Sequence, residues 1–294
     1  MGATVVLANP SPRCGVHSTA KIHAKSISAV FLTEPESAKD ASILYIHWHP
    51  NFVFQHPKWT QSLNCLSDAR KCFVLHDFAF AVPAKRDDDI CVVFNESSRL
   101  RSSDLVIPMP LLDPYPFKPN TEGDPDKVGL FGFFGSYKGF WEVATYAIQH
   151  KKKARFITTL HPFSPPHTCA EFVEFRLFCK RRGLEVIDEW LVGQELADAM
   201  GECGFFVIPR RTGIGSSGSV TSMLATQRPV FAVKTNFLGK AAEFTMQFDF
   251  SKWPTQRELE QGMELALKAQ EELAPERIFG ELHELVIERL QQGG

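Results

Sequence analysis

Short apolar runs alternate with helical patterns along this 294-residue chain, and the alternation constrains its fold more than any other feature. An apolar run of about four to eight residues bounded by turn residues is typical of a strand buried on both faces, as in parallel sheets. Helical segments between such runs predict βαβ units and an α/β fold. The expected strands are Thr4–Asn9, Ile43–Trp48, Cys72–His76, Ile90–Phe94 and Leu105–Pro108, and later Val128–Phe134, Arg155–Leu160, Leu184–Ile187, 204–208 and 229–233.

A proline-rich stretch interrupts this alternation. Residues 111–120 carry three prolines, and the polar stretch Thr121–Lys127 follows, which together predict an interdomain linker. We therefore expect two facing, doubly wound Rossmann-like domains, 1–116 and 117–274. The tail, 275–294, predicts an amphipathic helix that packs near the domain junction, with one apolar face formed by Ile278, Leu282, Leu285, Val286 and Leu290.

Composition excludes several classes of protein. The net charge of −2 gives no overall basic surface for nucleic acid, and no apolar run approaches the length of a membrane helix. The N-terminus lacks the basic region of a secretory signal, and the seven cysteines are scattered, so we expect a cytoplasmic protein with reduced thiols. Two basic clusters, Lys151–Arg155 and Lys180–Arg182, are interpreted as the charged ends of helices.

A glycine- and serine-rich loop lies late in the chain, between an expected strand and an expected helix. It reads RRTGIGSSGSV from Arg210 to Val220. Glycine lets the backbone approach a ligand closely, and a helix N-terminus favours an anion. The loop therefore predicts a phosphate-bearing ligand, although a plain connection with a helix cap would have the same composition. It matches neither a P-loop nor a dinucleotide-binding motif, because no Gly-Lys-Ser/Thr follows and the glycine spacing differs.

Three segments resemble one enzyme family. Residues 13–19, RCGVHST, resemble the Cys-Gly-Ile-Ala loop near the N-terminus of GT-B-fold, family-4-type glycosyltransferases (glycosyl transferases group 1). Residues 128–140 are similar to the family's strand and loop that end in Lys-Gly, and residues 224–230, LATQRPV, are similar to its Leu-Ala-x-Gly-x-Pro-Val segment. The matches keep the family's order and cover most of the chain.

The resemblance implies transfer of a sugar from a UDP- or GDP-linked donor to an acceptor hydroxyl, with retention of configuration and without a cofactor or required metal. The C-terminal domain would bind the donor, and the N-terminal domain would bind most of the acceptor. The candidate catalytic residues are His76 and Lys138, and the acceptor-side candidates are His17, His47 and His49. The candidate donor-binding residues are Gly15, Ser136, Lys138, Leu191, Val192, Arg210, Ser216, Ser217, Gly218, Ser219 and Ser222.

The chain departs from the family pattern at the donor segment. No carboxylate occurs between Arg210 and Pro229, and Ser222 stands where the family carries a ribose-binding glutamate. A serine hydroxyl hydrogen-bonds a sugar hydroxyl less strongly than an ionised carboxylate does. The arginine of the family's Lys-Gly loop has no match either, and Arg210 or Arg211 is the candidate substitute. His47 and His49 have the spacing of a pair of metal ligands, but the sequence shows no evident third ligand, so no metal site is predicted.

Three other functions fit parts of the pattern. A viral enzyme that glycosylates hydroxymethylated DNA bases would use the Lys151–Arg155 cluster on the DNA backbone. A non-catalytic module that binds nucleotide sugars would explain the missing glutamates. A sugar-nucleotide epimerase has the same architecture, but its motif cannot be matched here. Oligomeric state and acceptor stay open at this level.

Overall fold

The structure, a computed structural model, describes residues 3–66, 71–76, 85–86, 89–94, 103–209, 218–233 and 236–292, without the side chains of residues 136, 236 and 237. It divides into two compact units. Unit 1 comprises residues 1–112, 214–216 and 273–294, and unit 2 comprises residues 113–213 and 217–272. Each unit contains one parallel sheet that is six-stranded over the described residues.

The sheet of unit 1 has the order β2-β1-β3-β4-β5-β6, and every pairing is parallel. The chain first builds outward from β1 to β2, and then continues on the other side of β1 with β3. The strands are β1 (Thr4–Leu7), β2 (Val30–Leu32), β3 (Ile43–Trp48), β4 (Lys71–Leu75), β5 (Ile90–Val93) and β6 (Leu105–Val106). The helices are α1 (Gly15–Ser26), α2 (Phe52–Gln55) and α3 (Pro57–Ser62), with 3₁₀ turns at Pro35–Ala38 and Leu63–Leu66.

Alternate residues of the unit 1 strands supply two separate cores. Val6, Tyr45 and Val74 face a core shared with α1 and with the C-terminal helix α9 (Pro275–Gln292). Their neighbours Leu7, Ile46 and Phe73 face the opposite core, with Trp48 and Trp59. Both faces of the sheet are therefore covered, as the continuous apolar runs predict.

Helix α9 packs in unit 1, although the chain enters it directly from unit 2. Its buried residues Ile278, Phe279, Leu282 and Val286 join the core beside α1, while Leu285 is 43% exposed. Of the predicted apolar face, Ile278, Leu282 and Val286 are therefore buried, Leu290 is partly buried, and Leu285 is exposed.

The sheet of unit 2 has the order β12-β11-β10-β7-β8-β9, again with parallel pairings throughout. The strands are β7 (Asp124–Phe131), β8 (Lys153–Ile157), β9 (Glu185–Ile187), β10 (Cys203–Ile208), β11 (Val230–Ala232) and β12 (Met246–Gln247). The helices are α4 (Phe140–Gln149), α5 (Pro166–Arg182), α6 (Gly193–Gly201), α7 (Gly218–Ala225) and α8 (Gln256–Glu272), with 3₁₀ segments at Ser136–Lys138 and Asn236–Phe244. The α/β class with two doubly wound sheets is confirmed.

Two local expectations need correction. Strand β7 begins at Asp124, so the second half of the polar stretch expected as linker pairs with its neighbours in the sheet. Of the first basic cluster, Lys153 to Arg155 lie in β8 rather than at a helix end, because Lys153 and Arg155 find carboxylate partners there. The second cluster does form the last turn of α5, which ends at Gly183 in the left-handed conformation (φ 69°).

No helix within the described ranges is both long and apolar enough to cross a membrane. All seven cysteines carry free thiols.

Candidate functional site

The direction of chain progression reverses in unit 2 between β7 and β10. Two segments leave the carboxyl ends of these neighbouring strands: the loop after β7 that leads to Lys138, and the start of α7 at Gly218. In open α/β sheets, ligands bind at this kind of switch point, outside the carboxyl ends of the strands. A ligand site in unit 2 is therefore expected at the carboxyl ends of β7 and β10.

Lys138 and Ser219 converge beside Gly132 at this switch point. A Cβ atom built on Gly132 would lie 2.5 Å from Ser219 Oγ and 3.4 Å from Lys138 Nζ. Gly132 also has a φ of 129°, which L side chains rarely adopt. The glycine therefore keeps the space next to a cation and a hydroxyl clear of any side chain.

Gly139 sets the course of the Lys138 loop. Its φ is 81°, and a Cβ there would collide with the ring of Pro209, directly after β10. Within the loop, the Lys138 amide donates to the Gly135 carbonyl at 2.9 Å. The glycine of the Lys-Gly pair is thus required by packing, and it brings the loop against the end of β10.

An aromatic group lies next to the lysine. The Phe133 ring stacks on Trp190, with centroids 5.3 Å apart, and meets His161 edge-on at 4.8 Å. Lys138 Nζ lies 6.0 Å from the Phe133 centroid. Phe133, His161 and Trp190 follow β7, β8 and β9 respectively, so three adjacent strands contribute one ring each to the carboxyl edge. These three rings are not among the site residues predicted from the sequence. The signal that could have identified them is an aromatic residue after each of three consecutive strands.

The other predicted donor residues fall at different places. Gly218 and Ser219 form the first turn of α7, where backbone N–H groups lack partners within the helix. Ser222, one turn further on, is only 5% exposed. The Ser136 backbone belongs to the 3₁₀ segment before Lys138, and its side chain lies outside the described part of the structure. Arg210, Arg211, Ser216 and Ser217 also lie outside the described residues.

Leu191 and Val192 connect Trp190 to α6. Leu191 is partly buried, and Val192 is 52% exposed at the cap of the helix. The Gly193 amide that follows donates to the Asp113 carboxyl, at 2.9 Å to Oδ1 and 3.2 Å to Oδ2. Burial raises the pKa of Asp113. This bond ties the start of α6 to the first residue of unit 2.

In unit 1, the switch point lies between β1 and β3, and α1 begins beside it with Gly15. A Cβ on Gly15 would meet no atom within 4 Å, and its φ is not in the positive range that excludes side chains. His17, in the first turn, donates from Nδ1 to the Asn9 carbonyl at 2.7 Å. Because a carbonyl only accepts, neutral His17 carries an unprotonated Nε2.

Histidines from α1, β3 and the residue after β4 form a hydrogen-bonded chain in unit 1. His23 Nδ1 lies 2.9 Å from His47 Nε2, and His47 Nδ1 lies 2.9 Å from His76 Nε2. His23 and His47 are fully buried, while His76 is partly exposed. Burial lowers the pKa of all three rings, to about 3 for His23, with further lowering from the neighbouring histidines. The three imidazoles are therefore neutral at pH 7.

His49 lies near the outer end of this chain of rings, where its charge contributes to lowering the pKa of His76. It follows β3, and its Nδ1 accepts a hydrogen bond from the Asn51 amide at 3.1 Å. His47 already engages a different ring through each of its nitrogens, so it has no lone pair to share with His49 on one ion. No group of three or more His, Cys, Asp or Glu side chains in the described ranges could hold a metal ion.

Three residues of the first basic cluster pair with carboxylates at the amino ends of the unit 2 strands. Lys152 pairs with Asp126 at 2.5 Å and Lys153 pairs with Asp124 at 2.9 Å. Arg155 pairs with both Glu185 and Glu202, each at 2.5 Å. The hydrogen bond from Arg155 holds the pKa of Glu202 below its usual value. These charges are balanced locally and lie at the edge of the sheet opposite to Lys138, so the cluster gives no support to a DNA acceptor.

Comparison with known proteins gives a likeness at the level of structure only. No protein-family model matches the chain, and no curated protein sequence matches it. HepE of Anabaena, solved in complex with UDP and glucose, matches with a TM-score of 0.70 at 10% identity, over 97% of this chain and all of that one. AviGT4, a glycosyltransferase involved in avilamycin A biosynthesis, matches with a TM-score of 0.65 at 13% identity, over 99% of both chains. An α-glucosyltransferase in complex with UDP matches with a TM-score of 0.63 at 10% identity, over 98% of this chain and all of that one. The chain therefore has the two-domain GT-B fold of these glycosyltransferases.

Proposed function

We propose that this protein is a glycosyltransferase that transfers a sugar from a UDP-linked donor to an acceptor hydroxyl. The observation that carries the proposal is the convergence of Lys138 and Ser219 beside Gly132, next to the aromatic group. A nucleoside diphosphate needs an aromatic surface for its base and cations or N–H donors for its phosphates. Both kinds of group stand together at the switch point of unit 2.

The diphosphate is assigned to Lys138 and the start of α7. The ammonium of Lys138 neutralises phosphate charge, and the first N–H groups of α7 lie at the positive end of the helix dipole. Ser219 adds a hydroxyl that can donate to a phosphate oxygen. During transfer the bond between the sugar and the diphosphate breaks, and these groups stabilise the charge that develops on the leaving oxygen.

The base is assigned to the Phe133–Trp190 pair, with Leu191 and Val192 beside it. Stacking on an aromatic ring contributes about 1–3 kcal/mol per base. The choice of UDP over GDP rests on HepE and the α-glucosyltransferase, whose structures contain UDP. With no carboxylate in the donor segment, ribose recognition falls to neutral groups such as Ser222 or the backbone.

The acceptor is assigned to the carboxyl edge of unit 1, at His17, while Gly15 and His76 at the same edge keep the donor-binding and catalytic roles that the resemblance implies. In this proposal configuration is retained: the acceptor hydroxyl attacks the face from which the diphosphate departs, and an oxygen of the departing diphosphate takes its proton.

The test is incubation of the protein with UDP-glucose, UDP-N-acetylglucosamine, UDP-galactose and GDP-mannose, without acceptor, followed by proton NMR. Slow release of UDP from one donor, with an α-anomeric sugar as the first product of an α-linked donor, supports a retaining transferase. Release of the β-anomer first would overturn retention. Binding of a donor with no release of its nucleotide would favour the non-catalytic module.

A further inference from the structure

The histidine chain of unit 1 has one nitrogen without a partner. No group in the described part of the chain hydrogen-bonds to Nε2 of His23, although this ring is completely buried. The ring of Phe279, from α9, lies parallel to it with centroids 4.1 Å apart and an interplanar angle of 10°. Phe279 thus covers one face of the buried His23 ring.

Counting protons leaves two possible arrangements of donors and acceptors in the histidine chain. Three neutral imidazoles carry three N–H groups and three lone pairs in total. One hydrogen bond joins His23 and His47, and another joins His47 and His76. Together they use two of the N–H groups and two of the lone pairs. One N–H and one lone pair remain, and they must lie at opposite ends: one at His23 Nε2 and the other at His76 Nδ1.

The buried end decides between the two arrangements. In folded proteins, buried N–H groups without a partner are rarer than acceptors without one. His23 Nε2 therefore keeps the lone pair, and the proton of His23 is on Nδ1. It follows that His23 donates to His47, that His47 donates to His76, and that the unused N–H of the chain is on His76 Nδ1.

We propose that His23 and His47 are positioning residues that fix His76 in the Nδ1-protonated tautomer, so that this ring offers an N–H donor at the carboxyl edge of the unit 1 sheet. His76 directly follows β4, the neighbour of β3 in that sheet, and is partly exposed there. An N–H donor that stays neutral suits an oxygen atom of a sugar or phosphate. This assignment of a ligand to His76 rests on the proposed function, whereas the direction of the chain does not.

The edge-on contact between His76 and Phe94, with centroids 5.1 Å apart, also limits rotation of the ring. A ring flip would move the proton-bearing nitrogen and break the bond to His47 at the same time. The histidine chain therefore couples the orientation of the His76 ring to the position of its proton. In this proposal His23 and His47 act on His76 without contacting the ligand.

The decisive measurement is a long-range proton–nitrogen NMR correlation on the full-length protein labelled with ¹⁵N-histidine at pH 7.5. Single variants of the three histidines identify the signals. We expect protonated Nδ1 and unprotonated Nε2 on both His23 and His76. A proton on His76 Nε2, or rapid exchange between the two tautomers, would overturn the proposal.

Two variants of His23 test the coupling. His23→Leu removes the first donor, and His23→Asn replaces it with an amide at the position of Nδ1. With His23→Leu, we expect His76 to lose its single tautomer and kcat for sugar transfer to fall about 10-fold with little change in the donor KM, the loss expected for one misplaced hydrogen bond. His23→Asn should restore both properties. An unchanged His76 tautomer in His23→Leu contradicts the proposal.

The two readouts separate this inference from the proposed function. If the NMR pattern is as expected and no sugar donor is ever turned over, the histidine chain stands and the glycosyltransferase assignment fails. If donors are turned over but the His76 proton lies on Nε2, the glycosyltransferase assignment stands and the proposal for the histidine chain fails. Should His23→Leu fail to fold, the pattern in the unmodified protein decides alone.

Discussion

Lys138 Nζ and Ser219 Oγ come together at one point, since both lie within 3.4 Å of the position that a Cβ on Gly132 would occupy. The two residues are 81 positions apart in the chain, and they meet because the strands that precede them, β7 and β10, are neighbours at the switch point of the sheet. A cation, a hydroxyl and a helix start thus lie close to a glycine at which even a single added carbon would collide with Ser219.

Replacing Lys138 with methionine should weaken UDP binding. The variant loses a charge-assisted contact of about 1.5–3 kcal/mol, which corresponds to about 10- to 100-fold in Kd. Uridine, which carries no phosphate, should bind the variant and the unmodified protein equally. Calorimetric titration with both ligands checks this. Lys268→Met, an exposed position on α8, is the matched control and should change neither affinity. Equal loss of uridine and UDP binding would mean that Lys138 supports the fold rather than the diphosphate.

Gly15→Ala separates a ligand contact from a structural requirement. Because no atom lies within 4 Å of the added Cβ, and because Gly15 begins α1, the change should leave the free energy of unfolding equal or slightly higher. If a substrate approaches this backbone closely, kcat/KM should fall by about 10- to 100-fold, as small displacements of bound substrates do.

Gly280→Ala, in the interior of α9, provides the comparison. It also has open space around the added Cβ, so it should raise the free energy of unfolding by about 0.5–1 kcal/mol and leave turnover unchanged. Chemical denaturation and steady-state kinetics on both variants are sufficient. Full activity of Gly15→Ala would show that no substrate lies against α1.

Trp190 should contribute to binding of the base. Trp190→Leu removes the stacking surface beside Phe133 and should raise the Kd of uridine and of UDP by a similar factor, about 10-fold. Trp190→Phe keeps an aromatic face, so it should raise the Kd values of uridine and UDP much less. Titration of both variants distinguishes stacking from mere bulk. If leucine and phenylalanine behaved alike, the base would have to bind elsewhere.

The buried histidines predict a loss of stability in mild acid. Each of the three rings has a folded pKa far below the value of 6.5 expected in the unfolded chain. Well above pH 6.5 the rings are unprotonated in both states, so they do not change stability. As the pH falls through 6.5 the unfolded state binds more protons, and the free energy of unfolding decreases. By pH 5.5 the three rings together should cost about 4 kcal/mol.

Urea denaturation at pH 7.5, 6.5 and 5.5 measures this dependence. The titratable groups around the chain of rings are Tyr45, His49 and His283, the last of which bonds to the Tyr45 hydroxyl at 2.7 Å. Burial also lowers the pKa of His283, so it acts in the same direction. His23→Asn removes one of the three rings, so the decrease in the free energy of unfolding between pH 7.5 and 5.5 should be smaller by about 1.4 kcal/mol. A free energy of unfolding that did not change between pH 7.5 and 5.5 would contradict the neutral, buried state of the chain.

Local sequence pattern was sufficient for the fold class, because strands buried on both faces are almost continuously apolar. It failed for β2 (Val30–Leu32) and β12 (Met246–Gln247), which are three and two residues long and lie at sheet edges, and it assigned no element to α8. The start of β7 was missed because its first residues are charged and are satisfied by ion pairs with Lys153 and Lys152 rather than by burial. Such partners are distant in sequence.

The candidate site divides in the same way. Lys138 and Ser219 could be picked out individually, since each lies in a recognisable loop or helix start. The stack of Phe133 on Trp190 and the bond from His23 to His47 depend on which strands are neighbours, and strand order is not encoded locally. His23 in particular lies in the middle of α1, where its sequence context is that of any helical residue.

The most direct test of the account is calorimetric titration of UDP, GDP and uridine into the unmodified protein. We predict that UDP binds, that it binds more tightly than uridine because Lys138 and the start of α7 hold its phosphates, and that GDP binds more weakly than UDP. Absence of binding by both nucleoside diphosphates, or equal affinity for UDP and uridine, would contradict the assignment of a diphosphate site beside Gly132.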